Sequence, residues 1–406
     1  MNHDIRNQFS SLARTYNGNP LVYLDGPAGT QVPNSVIEAM GDYYRRCNAN
    51  THGHFITSRE SDDIVHWTRE QCATLLNAEA PECISFGANM TSLTYKLSRA
   101  MSRILEPGDE VVITQLDHEA NRGPWLSLEQ HGIIVKEINL LSDGRLDYND
   151  AAEKITEKTK LVAAGWASNI LGTVNDVAQL RKLSSEVGAW LLIDAVHYAP
   201  HFSIDVQNID CDFLLCSAYK FYGPHVGILY CKKGLLDTLP TDHLRTAAQK
   251  APGRIETGTL NHAALAGVGA CIDYISTFGE GENKRDKLID AYQNIGKIEQ
   301  GLSGALWDGL AQINGVTLYG TVFGESERSP TIVFTVKGHT PAALCTFLGE
   351  RGICAWDGHF YAIRTTEVLG LEQNGGVTRM GIVVYNTIDE VNYTLNAVSD
   401  FIKINA

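Results

Sequence analysis

Two residues near the middle of the chain have the types that could do chemistry. Asp194 ends the apolar run Leu191-Leu192-Ile193, and Lys220 follows the run Phe213-Leu214-Leu215-Cys216 in Ser217-Ala218-Tyr219-Lys220. A lysine whose ammonium form is destabilised becomes a nucleophile toward an aldehyde. A carboxylate at the end of a buried strand can hold a pyridinium nitrogen protonated. A Schiff-base lysine and an acid on the ring nitrogen are together what pyridoxal phosphate requires. The same two residues also suit a helix cap and a solvated lysine, so the pair alone leaves both readings open.

The elements around the pair decide whether it can act. Short apolar runs bounded by polar residues, glycine or proline suit strands buried on both faces. Such runs are Ile84–Phe86, Val111–Thr114, Leu161–Ala164, Leu191–Asp194, Phe213–Cys216 and Val226–Tyr230. Helical patterns at residues 33–46, Met90–Met101 and Val177–Val187 alternate with them. That alternation predicts an α/β fold with a mostly parallel sheet between helices. Open sheets of this kind bind ligands beyond the carboxyl ends of their strands. Gly87-Ala88-Asn89 between a strand and the helix from Met90 is an anion-site pattern, because free amides and the helix dipole favour phosphate. Past residue 262 the texture changes. A long helix is predicted at Asp286–Leu310, a helix near Pro341–Arg351, and strands at Val316–Tyr319, Thr331–Val336 and Met380–Val384. Residues 4–16 suit a short amphipathic helix, Leu21–Asp25 a short strand, and Gly324–Pro330 a polar loop without detectable chemistry. The expected division is an N-terminal segment 1–21 packed with the small domain, a large cofactor domain 22–261 and a small α+β domain 262–406.

Composition excludes several classes. At 406 residues, 44% hydrophobic and 20% charged, the chain is an ordinary globular protein of about two domains. A net charge of −14 argues against nucleic acid and anionic membranes as partners. No run approaches membrane-spanning length, and the first residues lack an apolar signal core. Nine scattered cysteines without a C-x-x-C suggest free thiols. The expected location is the cytoplasm.

The stretch around Asp194 and Lys220 resembles the class V aminotransferase family of fold-type I pyridoxal-phosphate enzymes, within its cysteine desulfurase and selenocysteine lyase branch. The similarity runs from Tyr23 to Asn386 and is carried by YLDGPAGTQVP, EPGDEVVITQLDHEAN, the Ser217–Lys220 segment and RIETGTLN. It implies that Lys220 bonds the cofactor aldehyde and that Asp194 pairs with the pyridine nitrogen. It places His118 on the face of the ring, where it can also shuttle a proton. Asn169 and His197 fall beside the phenolic oxygen. The phosphate falls at Ala88, Asn89 and Met90, with help from Ser217 and Tyr219. Thr259 would reach the phosphate of the other subunit, which implies a homodimer with a shared active site. Arg379 matches the arginine that forks onto the substrate carboxylate, and guanidinium geometry suits that grip. His52 and His359 border the substrate pocket.

The pattern breaks in Gly352–Ile363. Tyr361 stands where the desulfurases carry their persulfide-forming cysteine, and Cys354 aligns with an apolar, strand-like position. A phenol cannot replace a thiolate as sulfur acceptor. The expected reaction is therefore β-elimination: Lys220 takes the Cα proton, the C–S bond of cysteine or an S-substituted cysteine breaks, and Tyr361 or His359 protonates the leaving sulfur. Desulfuration proper, transamination and epimerisation start from the same bound substrate and remain alternatives. A regulatory pyridoxal-phosphate-binding protein is the non-enzymatic alternative. It is disfavoured because the chain has neither the spare length nor the basic patch of an appended DNA-binding domain.

Overall fold

The computed structural model describes residues 2–405; Met1 and Ala406, the outermost residues of the expected segments, lie outside the described residues. Seven strands form the central sheet, in the order Ile84–Gly87, Gly227–Cys231, Phe213–Ser217, Trp190–Asp194, Thr159–Gly165, Glu110–Thr114 and Ile134–Ile138. Only Gly227–Cys231 runs against the rest. The strands Glu110–Thr114, Phe213–Ser217 and Gly227–Cys231 are buried at every position, which is why they read as unbroken apolar runs rather than alternating ones. Gly227 lies against the backbone of Asn89 so closely that no side chain would fit between them. This contact seats the turn before the helix Met90–Met101 on the antiparallel strand.

A second sheet of four antiparallel strands follows the order Val316–Tyr319, Thr331–Val336, Val377–Gly381 and Trp356–Gly358. The helices Pro341–Gly349 and Ile388–Ile404 pack with it around Leu344, Leu348, Val391, Val398 and Phe401. The 28-residue helix Lys284–Ala311 joins the two cores. Its Leu288, Ala291 and Ile295 belong to the large core, and Leu302, Leu306 and Leu310 to the small one. The helix His262–Ser276 contributes Leu265, Val268 and Ile272 to the large core. At the N-terminus, Phe9 packs edge-on to Tyr274 and Tyr385, and Arg6 pairs with Glu390 at 2.6 Å.

Three local expectations are corrected. The N-terminal helix ends at Arg6, and Ser10–Ala13 forms a single 3-10 turn before the chain extends at Thr15–Tyr16. Ile5, Phe9 and Leu12 are nonetheless buried as their spacing required. The strand of Leu21–Asp25 shortens to Val22–Tyr23 and pairs in parallel with Ile353–Cys354. The strand expected at Met380–Val384 is Val377–Gly381. Its later apolar residues are buried without a ladder, because Val383 N–H bonds the side chain of Asn386 instead.

Candidate active site

The carboxyl ends of the central strands surround one inner cavity. Asn89, Met90, His118, Asn169, Asp194, His197, Ser217, Tyr219 and Lys220 all line it. It opens into a cleft of about 860 Å³ that adds His359, Tyr361 and Arg379. Residues spread over almost three hundred positions are thus brought together. His52, Ala88 and Thr259 are absent from both linings. His52 sits in a loop with φ of 71°, its side chain 89% exposed and 3.2 Å from Asp62. Thr259 lines a separate surface hollow beside Tyr43, Tyr44 and His262. Thr91 takes the lining position expected of Ala88.

Lys220 is buried and donates to the Pro27 carbonyl. Burial, aided by the nearby Arg379 cation, pushes its ammonium down to about 7, against the pull of Asp25 and Asp194. Asp194 accepts from Val196 N–H at 2.9 Å, and burial raises its carboxyl to about 6. Behind it, Asp117 accepts from Gly165 N–H at 2.6 Å and from Asn121 at 3.1 Å. Burial raises Asp117 to about 7, and the Asp194 charge adds to the shift. A Cβ on Gly165 would stand 2.7 Å from the Asp117 carboxylate, so this grip needs glycine. Burial and the Lys220 and Arg379 cations lower His118 to about 4, so its imidazole is neutral near pH 7. Its Nδ1 accepts from Ala120 N–H at 2.9 Å, which leaves the proton on Nε2.

The helix Met90–Met101 is capped by Asn89, which accepts from Ser92 N–H at 2.8 Å. Ser217 Oγ accepts from Met90 N–H at 3.2 Å, tying the strand end to the helix start. The Tyr219 ring lies parallel to His225 at 4.5 Å. Asn169 donates to the Phe360 carbonyl at 2.8 Å, and its own carbonyl accepts from Arg379 at 3.0 Å. Arg379 also meets Asp25 at 3.3 Å and stands over the Phe360 ring at 4.0 Å. The His359 ring accepts from Tyr361 N–H at 3.1 Å, and the Tyr361 ring stacks on His118 at 5.4 Å.

The segment expected to be inert holds this arrangement from behind. Arg328 is fully buried and donates to the carbonyls of Leu171, Thr331 and Thr321. Its guanidinium lies 4.1 Å from the Phe323 ring and 4.7 Å from Trp307. The arginine therefore clamps the loop that carries Asn169. Ser329 and Thr331 bond His197 Nε2 at 3.1 and 2.8 Å. Asp25, Asp117, Asn175, Arg328 and Ser329 escape a local reading because each meets the site through a distant partner. Only Asp25, in YLDGPAGTQVP, and Asp117, beside His118, stood in strings that offered a signal.

These residues fit pyridoxal phosphate. The cavity holds a lysine that loses its proton near neutrality, a carboxylate at its floor and a helix N-terminus at its wall. Two buried polar atoms among its lining residues, His197 Nδ1 and Asn175 Oδ1, have no partner. A buried unpaired polar atom costs about 1–3 kcal/mol, so a polar ligand is the natural complement. The pH dependence follows in sign. Above pH 7 Lys220 is neutral and nucleophilic; below it the lysine protonates, and below about 6 Asp194 also loses its charge. His118 stays neutral throughout this range. Uptake of pyridoxal phosphate by the apoprotein, followed by absorbance, should slow several-fold from pH 8 to pH 6. A rate that does not change across this range contradicts the depressed lysine.

A family model described as aminotransferase class-V matches residues 22–394. A cysteine desulfurase from Pectobacterium atrosepticum is 33% identical over 96% of this chain and 95% of the relative. A probable cysteine desulfurase from Synechocystis is 31% identical over 98% and 95%. Among solved structures, the apo cysteine desulfurase from Thermococcus onnurineus matches with a TM-score of 0.89 and 27% identity, covering 99% of this chain and 98% of that one. The cysteine desulfurase CsdA from Escherichia coli matches at 0.87 and 26%, covering 100% and 99%.

Proposed function

The chain belongs to the aminotransferase class-V family and is a pyridoxal-phosphate-dependent enzyme of the cysteine desulfurase type, and from that premise we propose that it cleaves the C–S bond of cysteine or an S-substituted cysteine by β-elimination. The observation that carries this reading is a missing thiol. No cysteine lines the inner cavity or the outer cleft among the described residues, and Tyr361, expected at the acceptor position, lines the cleft. Cys354 lies in the short strand beside Tyr23, and burial and the nearby Asp25 charge push its thiol up. Such a thiol is a poor nucleophile.

Pyridoxal phosphate, when bound, supplies the aldehyde that an amine bonds and the electron sink that stabilises a Cα carbanion. The first turn of the helix from Met90, together with Ser217, would hold its phosphate. Asp194 would pair with the pyridine nitrogen, and His118, a neutral imidazole, would lie against the ring. His197 and Asn169 would serve the phenolic oxygen. Arg379 orients the substrate carboxylate, for which its unpartnered buried Nε is a ready donor. Lys220 takes the proton from Cα. His359 or Tyr361 gives a proton to the departing sulfur.

The test is a product assay on the holoenzyme with L-cysteine and a reductant, following sulfide, alanine and pyruvate together. Pyruvate equal to sulfide is the expected result. Alanine equal to sulfide would establish desulfuration and remove β-elimination.

The working form is a homodimer in the cytoplasm. Ile37, Tyr44, Phe55 and Ile56 are between 50% and 71% exposed, and Tyr44 also lines the hollow that holds Thr259. Exposed apolar side chains gathered near a site residue suit a subunit contact. All nine cysteines are free, as a reducing compartment allows, and no helix among the described residues is long and apolar enough to cross a membrane. Light scattering should give twice the 44.5 kDa chain mass. A monomer with full turnover would overturn the shared site.

A further inference from the structure

We propose that the preferred substrate is a cysteine S-conjugate carrying an aromatic or similarly bulky apolar group on sulfur, rather than free cysteine; this rests on the C–S cleavage reading. Two aromatic side chains of one segment stand beside Arg379, and a third shares its cleft. Trp356 pairs directly with Arg379 in the antiparallel register, so the two side chains stand on the same face of the small sheet. The indole is 53% exposed and lines the outer cleft. Phe360 lies against the guanidinium, and Tyr361, 66% exposed, lies on the His118 ring.

The backbone is bent to present these rings. Phe360 and Tyr361 have φ of 53° and 59°, a region unfavourable for both residue types. Strain of this kind persists where the surroundings over-determine it, and it clusters at functional sites. Here Asn169 holds the Phe360 carbonyl at 2.8 Å and Glu119 N–H holds the Tyr361 carbonyl at 2.7 Å. Both anchors come from loops of the large domain that reach the cavity. The backbone that carries Phe360 and Tyr361 is therefore held in place at the cleft.

An amino acid gripped at Arg379 has its side chain beside these rings. Free cysteine ends one atom past Cβ, whereas the outer cleft, about 860 Å³ including room for part of the cofactor beside Lys220 and His118, extends to Trp356 and Tyr361. That volume suits a larger ligand, since pockets of about 300–1,000 Å³ enclose drug-sized molecules. An aryl group on sulfur would fill the space between Trp356 and Tyr361 by offset stacking. The chemistry agrees with the lining. Removal of the Cα proton is followed by rupture of the Cβ–S bond, and the electron pair leaves on sulfur. An arenethiolate carries that pair well and needs neither a strong acid nor a thiol acceptor. The net reaction is RS–CH2–CH(NH3+)–COO− plus water giving RSH, pyruvate and ammonium, with no external oxidant or reductant.

The holoenzyme should be compared on S-phenyl-L-cysteine, S-methyl-L-cysteine and L-cysteine, measuring thiol or sulfide and pyruvate. The expected kcat/KM for the phenyl conjugate is at least tenfold above that for the methyl conjugate. Trp356→Ala should shrink that ratio at least fivefold. A binding readout is independent of turnover: L-phenylalanine, titrated by the change in the visible band of the holoenzyme, should bind at least tenfold tighter than L-alanine. Trp356→Ala should narrow this gap as well. A methyl conjugate processed as well as the phenyl one, or a ratio indifferent to Trp356→Ala, overturns the substrate class and leaves C–S cleavage standing. No thiol or sulfide from any of the three removes the cleavage reading and the proposal together.

Discussion

Replacing Lys220 with alanine should abolish the visible absorption band of the reconstituted protein and lower turnover by at least about 10³-fold, within the range for loss of a positioned base. The argument starts from burial. Lys220 is only 9% exposed, and its ammonium form is disfavoured by desolvation and by Arg379. Its one hydrogen bond, to the Pro27 carbonyl, does not require a charge. A lysine so placed is useful for what its neutral amine can do. Two effects are expected together: the cofactor should leave on dialysis, and added substrate should give no pyruvate. Circular dichroism should remain that of the wild type, because the 3-10 turn Ala218–Lys220 is held by backbone bonds of Ala218 with Val226 and Phe221. A variant with a full visible band and full turnover would sink the assignment of Lys220.

Most of the central sheet was legible because its strands are buried on both faces, whereas the half-open edge strand Ile134–Ile138 was not read. Phe213–Ser217 and Glu110–Thr114 have no polar face, so local composition announces them. Met90–Met101 follows a strand, a glycine and an asparagine cap, all local signals, and its bounds agree with those read from the sequence. The four-stranded sheet was less legible. Trp356–Gly358 is three residues long and half open, and its existence depends on pairing with Val377–Gly381. The same holds inside the site. Lys220, Asp194 and His118 lie at strand ends, where topology alone places them at the cavity. Arg328 lies in a stretch of charged and small residues, and only folding shows its guanidinium enclosed by Phe323 and Trp307. Sequence shows which residues can do chemistry, and the long-range packing determines which of them are held still.

Arg379→Ala should lower kcat/KM by about 10²–10³-fold, mainly through weaker substrate binding. Arg379 is buried, and burial lowers its guanidinium to about 10 despite the opposing pull of Asp25. It spends its bonds on Asp25 and the Asn169 carbonyl and keeps Nε unpartnered. Truncating one member of a buried charge pair costs about 2–5 kcal/mol, part of which is the charge left behind. The remaining charge here is Asp25, whose carboxyl burial already raises. Arg379→Ala should therefore also lower Tm, and the two losses can be separated. Adding Asp25→Asn removes the stranded carboxylate and should restore most of the Tm while leaving kcat/KM low. Arg379→Lys should recover less than a tenth of the lost activity, because an ammonium cannot fork onto a carboxylate. If kcat/KM instead recovers along with Tm in the double variant, Arg379 is a structural partner of Asp25 and the substrate carboxylate is held elsewhere.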